Sequence, residues 1–330
     1  MNWDELIGHK DVVKILQAML ASGKVPHALL FIGAAGIGKS LVARLLAAGL
    51  LCGNSSAKPC GHCQACLMYS HGAHPDFTLV CPDGASIKID QIRALKQFAA
   101  LAPSVSSGRV CIIEDAEFMT VQAANSLLKL LEEPPPGFVF ILVAGTAQPL
   151  LPTILSRCRK IQFQPLPPTI LAEALVSKGY AAESAVVAAK LSGGRMGKAL
   201  GLLAPDGLAA RDMAAGMIEG LSGQDTVNIW NMASQLDGLE TKEILTVLGF
   251  LLYLFRDMVL LAGKHNEQLL YNIDLAPKLV AHTAKWPEGQ SLAALGAVKD
   301  TIRAISGNAN SRLALEALLI HLKDLAGKGD

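Results

Sequence analysis

A chain of 330 residues with a formal net charge of +1 is too nearly neutral to coat nucleic acid by bulk electrostatics, so any such contact is confined to a face or shared with neighbours. It is long enough for two or three domains with cores of their own. Half of it is hydrophobic and only 17% is charged, which points to surface buried against partners and hence to an oligomer.

The opening residues, Met1-Asn2-Trp3-Asp4-Glu5, do not have the basic and apolar segments of a secretory signal. From Trp3 to Leu20 apolar residues recur at three and four, including Val13, Ile15, Leu16 and Leu20, and predict an amphipathic helix. A strand follows at Ala28 to Ile32, then Gly33-Ala34-Ala35-Gly36-Ile37-Gly38-Lys39-Ser40, then a helix from Leu41 to Leu51. The eight residues match G-x-x-x-x-G-K-[ST] in the strand, loop, helix setting that a phosphate-binding loop requires, which argues against an accidental Gly-rich turn. Gly33, Gly36 and Gly38 let backbone N–H groups turn toward phosphate oxygens, Lys39 reaches the outer phosphates, and Ser40 is placed to ligate Mg²⁺ at the positive end of a helix. ATP with Mg²⁺ is the expected ligand, and its hydrolysis is a separate question.

Cys52, Cys60, Cys63 and Cys66 give C-x7-C-x2-C-x2-C within a stretch short on periodicity, which reads as an inserted module at 52–66. Four thiolates on short spacers suit a closed, structural tetrahedral Zn²⁺. His71 or His74, just beyond, is an alternative ligand that four cysteines make unnecessary. Cys81, Cys111 and Cys158 lie in or beside predicted core strands and are expected to be small buried apolar residues. With no signal, seven cysteines read as reduced thiols or metal ligands, and the cytosol is the expected compartment.

Phe77 to Val80 is the next strand, Ile87 to Leu101 a helix, and Arg109 to Glu114 a strand ending in the acids Glu114 and Asp115. In phosphate-loop ATPases such a strand delivers one acid to Mg²⁺ and a second that activates water; the plainer alternative is an ordinary helix cap. Which acid takes the metal is open, and Asp115 is one methylene short for the base. Thr120 caps a helix to Glu132 that stops at Pro134-Pro135-Pro136; a buried strand at Phe138 to Val143, a short helix to Ser156 and a strand at Arg159 to Phe163 follow. Five strands alternating with helices predict a parallel α/β sheet. Arg157 precedes the last strand, a position where an arginine is usually surface charge.

Pro165-Leu166-Pro167-Pro168 is a linker signal, after which short helices over Ile170 to Ser192 and Gly197 to Leu203 are separated by Gly193-Gly194. Helical patterns then continue at Leu208 to Leu221, Thr226 to Leu236, Glu243 to Ala262, Leu275 to Trp286, Leu292 to Ala304 and Ser311 to Leu325. The most apolar run, Ile244 to Phe255, has twelve residues against the roughly 20 of a membrane helix, and is expected to be a buried helix with no membrane role. The fold class is therefore α/β plus all-α, divided at 1–165, 166–205 and 206–330.

Three strings, Ile112-Ile113-Glu114-Asp115-Ala116-Glu117-Phe118-Met119, Ala124-Asn125-Ser126-Leu127-Leu128-Lys129-Leu130-Leu131-Glu132-Glu133-Pro134-Pro135 and Ser156-Arg157-Cys158, together resemble bacterial clamp-loader AAA+ subunits. The cysteine insertion and the Asn308 to Leu322 segment are similar too, so the resemblance covers essentially the whole chain. It implies an AAA+ domain, a helical lid and a helical collar, in a hetero-oligomer with gamma/tau and delta types of subunit. It implies that the complex opens a ring-shaped sliding clamp and closes it on primer-template DNA. It further implies that Arg157 acts in trans as an arginine finger on a neighbour's ATP, and that Thr146 stands near the family's sensor position.

Two departures separate this chain from the family's motor subunits. Their acidic strand ends Asp then Glu, here Glu114 then Asp115, and their lid arginine is replaced by Gly197 in Gly194-Arg195-Met196-Gly197-Lys198-Ala199. The leading expectation is a stator that hydrolyses little or no ATP; the alternatives are a motor ATPase of the same or a related machine, or a cysteine module that grips DNA, for which only Lys58 stands nearby.

Overall fold

The computed structural model describes residues 2–54, 58–221, 236 and 238–327. The helix expected over Thr226 to Leu236 lies outside the described residues apart from Leu236 itself. The chain divides into two compact units, Met1–Ala174 with Gly193–Lys198, and Leu175–Ser192 with Ala199–Asp330.

The first unit is built on five parallel strands: β1 (Ala28–Ile32), β2 (Phe77–Val80), β3 (Arg109–Ile113), β4 (Phe138–Ala144) and β5 (Arg159–Gln162), in the order β2-β3-β4-β1-β5. β1 and β3 are buried along their whole length, as their unbroken apolar runs require when both sheet faces are covered. Successive residues of β1 serve opposite faces. Ala28, Leu30 and Ile32 join a core with Leu127 of helix α5 (Val121–Glu132) and Leu95 of α4 (Ile89–Ala99). Leu29 and Phe31 join another with Leu45 and Leu46 of α2 (Lys39–Leu51) and Leu16 of α1 (Lys10–Ser22). A short helix α3 (Gln64–Ser70) follows the cysteines, and α6 (Pro152–Leu155) precedes β5.

Two local expectations need correction. The helix expected from Trp3 breaks into a 3-10 turn, Trp3–Glu5, and α1, because Gly8 and His9 adopt φ of +78° and +54°. The break turns His9 inward, its ring 5.1 Å from that of Phe163 and its Nε2 2.9 Å from the carbonyl of Ile37 in the phosphate loop. Cys111 and Cys158 are buried as expected, but Cys81 is exposed, because it follows the end of an edge strand.

Helices α7 (Pro168–Ser177), α8 (Ala182–Leu191) and α9 (Met196–Leu202) follow, the last two separated by Gly193 and Gly194 with φ of +61° and +77°. The second unit then packs α10 (Ala209–Leu221), α11 (Thr241–Ala262), α12 (Ala276–His282), α13 (Glu288–Ser306) and α14 (Ser311–Ala326). The twelve-residue apolar run Ile244 to Phe255 sits in α11, which has 22 residues and is long and apolar enough to cross a membrane by length and composition alone. Leu248, Leu251, Leu254, Phe255 and Met258 on it are fully buried, and Phe255 packs on Trp286 at 5.0 Å. Asp257, also fully buried, accepts from the N–H groups of Tyr271 and Asn272 and from the Asn272 side chain. A buried carboxylate satisfied this way belongs in a helical core.

Candidate functional site

Every strand is parallel, so β1, β3 and β4 end at one pole of the sheet, where ligands of such sheets bind. The phosphate loop leaves β1 there. A Cβ on Gly33 would lie 2.7 Å from the Phe163 carbonyl oxygen, so only glycine fits, and Gly38 at φ +110° caps α2. Gly33, Gly36, Gly38, Lys39 and Ser40 thus share one loop and the first turn of one helix. Lys39 is buried, and its Nζ donates to the carbonyls of Gly33 (2.6 Å) and Ala34 (2.9 Å). Burial lowers its pKa, while the negative fields of Glu117 and then Asp115 oppose that shift. The carbonyl of Gly36 accepts the N–H of Gly197 at 2.8 Å, and a Cβ on Gly197 would come within 3.1 Å of Gly36.

The two acids after β3 part company. Glu114 pairs with Arg44 of α2 at 3.1 Å, whereas Asp115 is exposed, in a left-handed conformation (φ +51°), and acts on Lys39 through its charge. Thr146 is exposed, and its Oγ1 accepts the N–H of Gln148 at 3.4 Å. The acid that sequence reasoning passes over is Glu117, in the 3-10 turn Ala116–Phe118. Its Oε1 accepts the N–H of Gly145, at the end of β4, at 2.6 Å, and its Oε2 is buried without a hydrogen-bond partner among the described residues. A lone glutamate in a short turn reads as surface charge; its one signal is its place two residues past the acid pair.

Arg157 belongs to the opposite pole, just before the amino end of β5, which lies beside β1. Its Nη2 meets Glu132 at 2.7 Å, and its Nη1 donates to the carbonyl of Thr153 (3.0 Å) and to Oγ of Ser156 (3.3 Å). A side chain at that pole cannot serve the loop at the far end of its own sheet.

The cysteine module follows the carboxyl end of α2. The sulfurs of Cys52, Cys60, Cys63 and Cys66 all lie within 4.8 Å of one another, with 4.0 Å between Cys52 and Cys63 and 3.9 Å between Cys60 and Cys66. Zinc–sulfur bonds of about 2.3 Å in a tetrahedron require sulfurs about 3.8 Å apart, so the donor set fits that ion. Backbone N–H groups of Cys60, Cys63 and Cys66 point at the sulfurs of Cys52, Cys60 and Cys63, an arrangement that favours thiolates. His71 bonds instead to the Leu67 carbonyl, and the buried His74 to Ser106 and the N–H of Asp76.

A buried polar network braces this pole. Asp76 accepts the N–H groups of Ser104, Val105 and Ser106 and lies 3.5 Å from Nε of Arg109, a contact held by charge rather than by a hydrogen bond. Ser106 donates to the Leu51 carbonyl, one residue before Cys52. Burial lowers the His74 pKa, partly offset by the Asp76 charge. Burial pushes Asp76 up, but its N–H donors and Arg109 more than offset that and hold it below the usual carboxylate value.

The family model described as "DNA polymerase III, delta subunit" matches residues 8–167. The DNA polymerase III subunit delta' of Bacillus subtilis (strain 168) is 30% identical over 316 residues, covering 95% of each chain. That of Escherichia coli (strain K12) is 30% identical over 316 residues, covering 93% of this chain and 92% of its own. The gamma/tau subunit of Mycobacterium bovis (strain ATCC BAA-935 / AF2122/97) is 36% identical over 188 residues, but these are 55% of this chain and 32% of that one. The match to these two delta-prime subunits spans nearly the whole of both chains, and the chain belongs to the family of DNA polymerase III delta-prime subunits.

Proposed function

We propose that this chain is the stator of a DNA polymerase III clamp loader. It takes part in ATP-driven loading of the sliding clamp onto primed DNA, hydrolyses little or no ATP itself, and contributes Arg157 in trans to ATP held by a neighbouring gamma/tau-type subunit. The observation that carries this reading is the pairing of Glu114 with Arg44 at 3.1 Å, which engages one of the two strand-end acids that a motor needs for its metal and its water. The lid contact of Gly197 on Gly36 and the polar position of Arg157, away from its own loop, support it further.

Within this reading, residues 1–165, 166–205 and 206–330 act as nucleotide, lid and collar parts, and the last packs against sister subunits. The loop Gly33 to Ser40 holds the phosphates of a nucleotide, with Ser40 toward Mg²⁺ and Thr146 at the sensor edge. Cys52, Cys60, Cys63 and Cys66 hold a structural Zn²⁺, which when bound fixes the fold of the module and leaves no open position for catalysis. The place of work is the cytosol, where replication proteins and reduced thiols coexist.

Steady-state hydrolysis by the isolated chain, with and without primed DNA and clamp, tests the reading. Turnover is expected near background. Robust turnover that Lys39→Ala abolishes would make the chain a motor.

A further inference from the structure

We propose that Glu117 sets this nucleotide site against a triphosphate, its carboxylate lying where a terminal phosphate would bind and holding a donor that such a phosphate would use. The proposal rests on reading Gly33 to Ser40 as a nucleotide site. β4 lies between β1 and β3, so the phosphate loop, the acidic turn and the end of β4 converge at one pole. In a loop of this kind the lysine reaches the outer phosphates, and backbone N–H groups turned toward the ligand hold the oxygens.

Here the N–H at the end of β4, that of Gly145, is already donated to Oε1 of Glu117 at 2.6 Å. The contact is close to the backbone, a Cβ on residue 145 lying 2.7 Å from the same oxygen. The second oxygen, Oε2, is buried and has no hydrogen-bond partner among the described residues, so the carboxylate presents negative charge inward rather than to solvent. The Gly33 N–H donates to the Ala144 carbonyl at 3.2 Å, so Gly145 and the carboxylate it holds adjoin the start of the phosphate loop. The other nearby acid, Glu114, is engaged by Arg44 and does not share this role.

A terminal phosphate entering this space meets a like charge and finds the strand-end donor occupied. A diphosphate, which ends at its β-phosphate and has no third phosphate to place there, does not. Like charges brought together in a partly buried site discriminate strongly, by at least about tenfold in affinity.

The test is calorimetric titration of the full chain with ATP and with ADP, each with Mg²⁺. Wild type is expected to bind ADP more tightly than ATP. Glu117→Gln keeps an oxygen for the Gly145 N–H and removes the charge; it is expected to tighten ATP by about tenfold or more and to change ADP by less than about twofold. Glu117→Asp, which keeps the charge, is expected to retain the preference for ADP; Glu117→Ala, which also removes the charge, is expected to tighten ATP relative to ADP and carries the test if the Gln variant does not fold. Equal shifts for the two nucleotides in Glu117→Gln, no shift at all, or a wild-type preference for ATP would overturn the proposal. Adding Lys39→Ala to Glu117→Gln is expected to abolish binding; binding that survives would place the nucleotide elsewhere and overturn the reading of the loop itself, whatever the ratio of affinities.

Discussion

Helix α2 carries a ligand-shaped loop at each end, the phosphate loop before Lys39 and the cysteine module after Leu51, about 20 Å apart for 13 residues. At the first end the polar groups are bonded to the chain itself: Lys39 to the carbonyls of Gly33 and Ala34, Gly36 to Gly197, Glu114 to Arg44, Glu117 to Gly145. At the second, four sulfurs converge at the spacing of a zinc tetrahedron, with backbone N–H groups pointing at them and a buried network bracing the helix end behind them. Both motifs are complete as strings of residues. The difference lies in their tertiary partners, which turn one into a self-satisfied loop and the other into a donor set that still fits its ion.

The amino pole of the sheet unit holds that buried network, so damage there costs stability. Asp76→Ala leaves the buried Arg109 facing no anion and three backbone N–H groups without their acceptor, and is expected to cost about 3–5 kcal/mol in denaturant unfolding. A cost under about 1 kcal/mol would show that the network does not brace the module. Cys66→Ser is expected to lower bound zinc from about one per chain toward none and the melting temperature by roughly 5–10 °C, measured by atomic absorption and calorimetry. A variant as stable as wild type would reduce the cysteines to a passive cluster.

The smallest effect is that of pH. His74 has a lowered pKa in the folded chain, so the unfolded chain binds more protons, and stability falls as pH drops through the ordinary histidine value of about 6.5. Asp76, also lowered, adds stability above the ordinary aspartate value of about 3.9 that is lost as pH falls through its lower folded value. The loss between about pH 7 and 5 is expected to shrink in His74→Gln. An unchanged pH profile in that variant would remove His74 from the account.

The sheet was legible because its strands are covered on both faces and therefore read as unbroken apolar runs; β1 and β2 have the bounds read from the sequence, and β3, β4 and β5 differ only at their last residue. The phosphate loop and the cysteines were legible because their chemistry fixes residue types at short spacing. What stayed hidden depends on partners distant in sequence. Nothing local to Glu114 announces Arg44, seventy residues earlier, and nothing local to Glu117 announces the N–H of Gly145. The break at Gly8 and His9 was missed because the periodicity of α1 runs on through it, while the ring of His9 is drawn toward Phe163, far along the chain.

The central claim is that this subunit works on a neighbour's nucleotide rather than its own, and the most direct measurement is ATP turnover by the reconstituted loader, with clamp and primed DNA, carrying one altered residue in this subunit. The account predicts that Lys39→Ala leaves turnover within about twofold of wild type, whereas Arg157→Ala, assembled normally, slows turnover at the site it faces by about 10³-fold. Turnover that collapses with Lys39→Ala and is untouched by Arg157→Ala would contradict it.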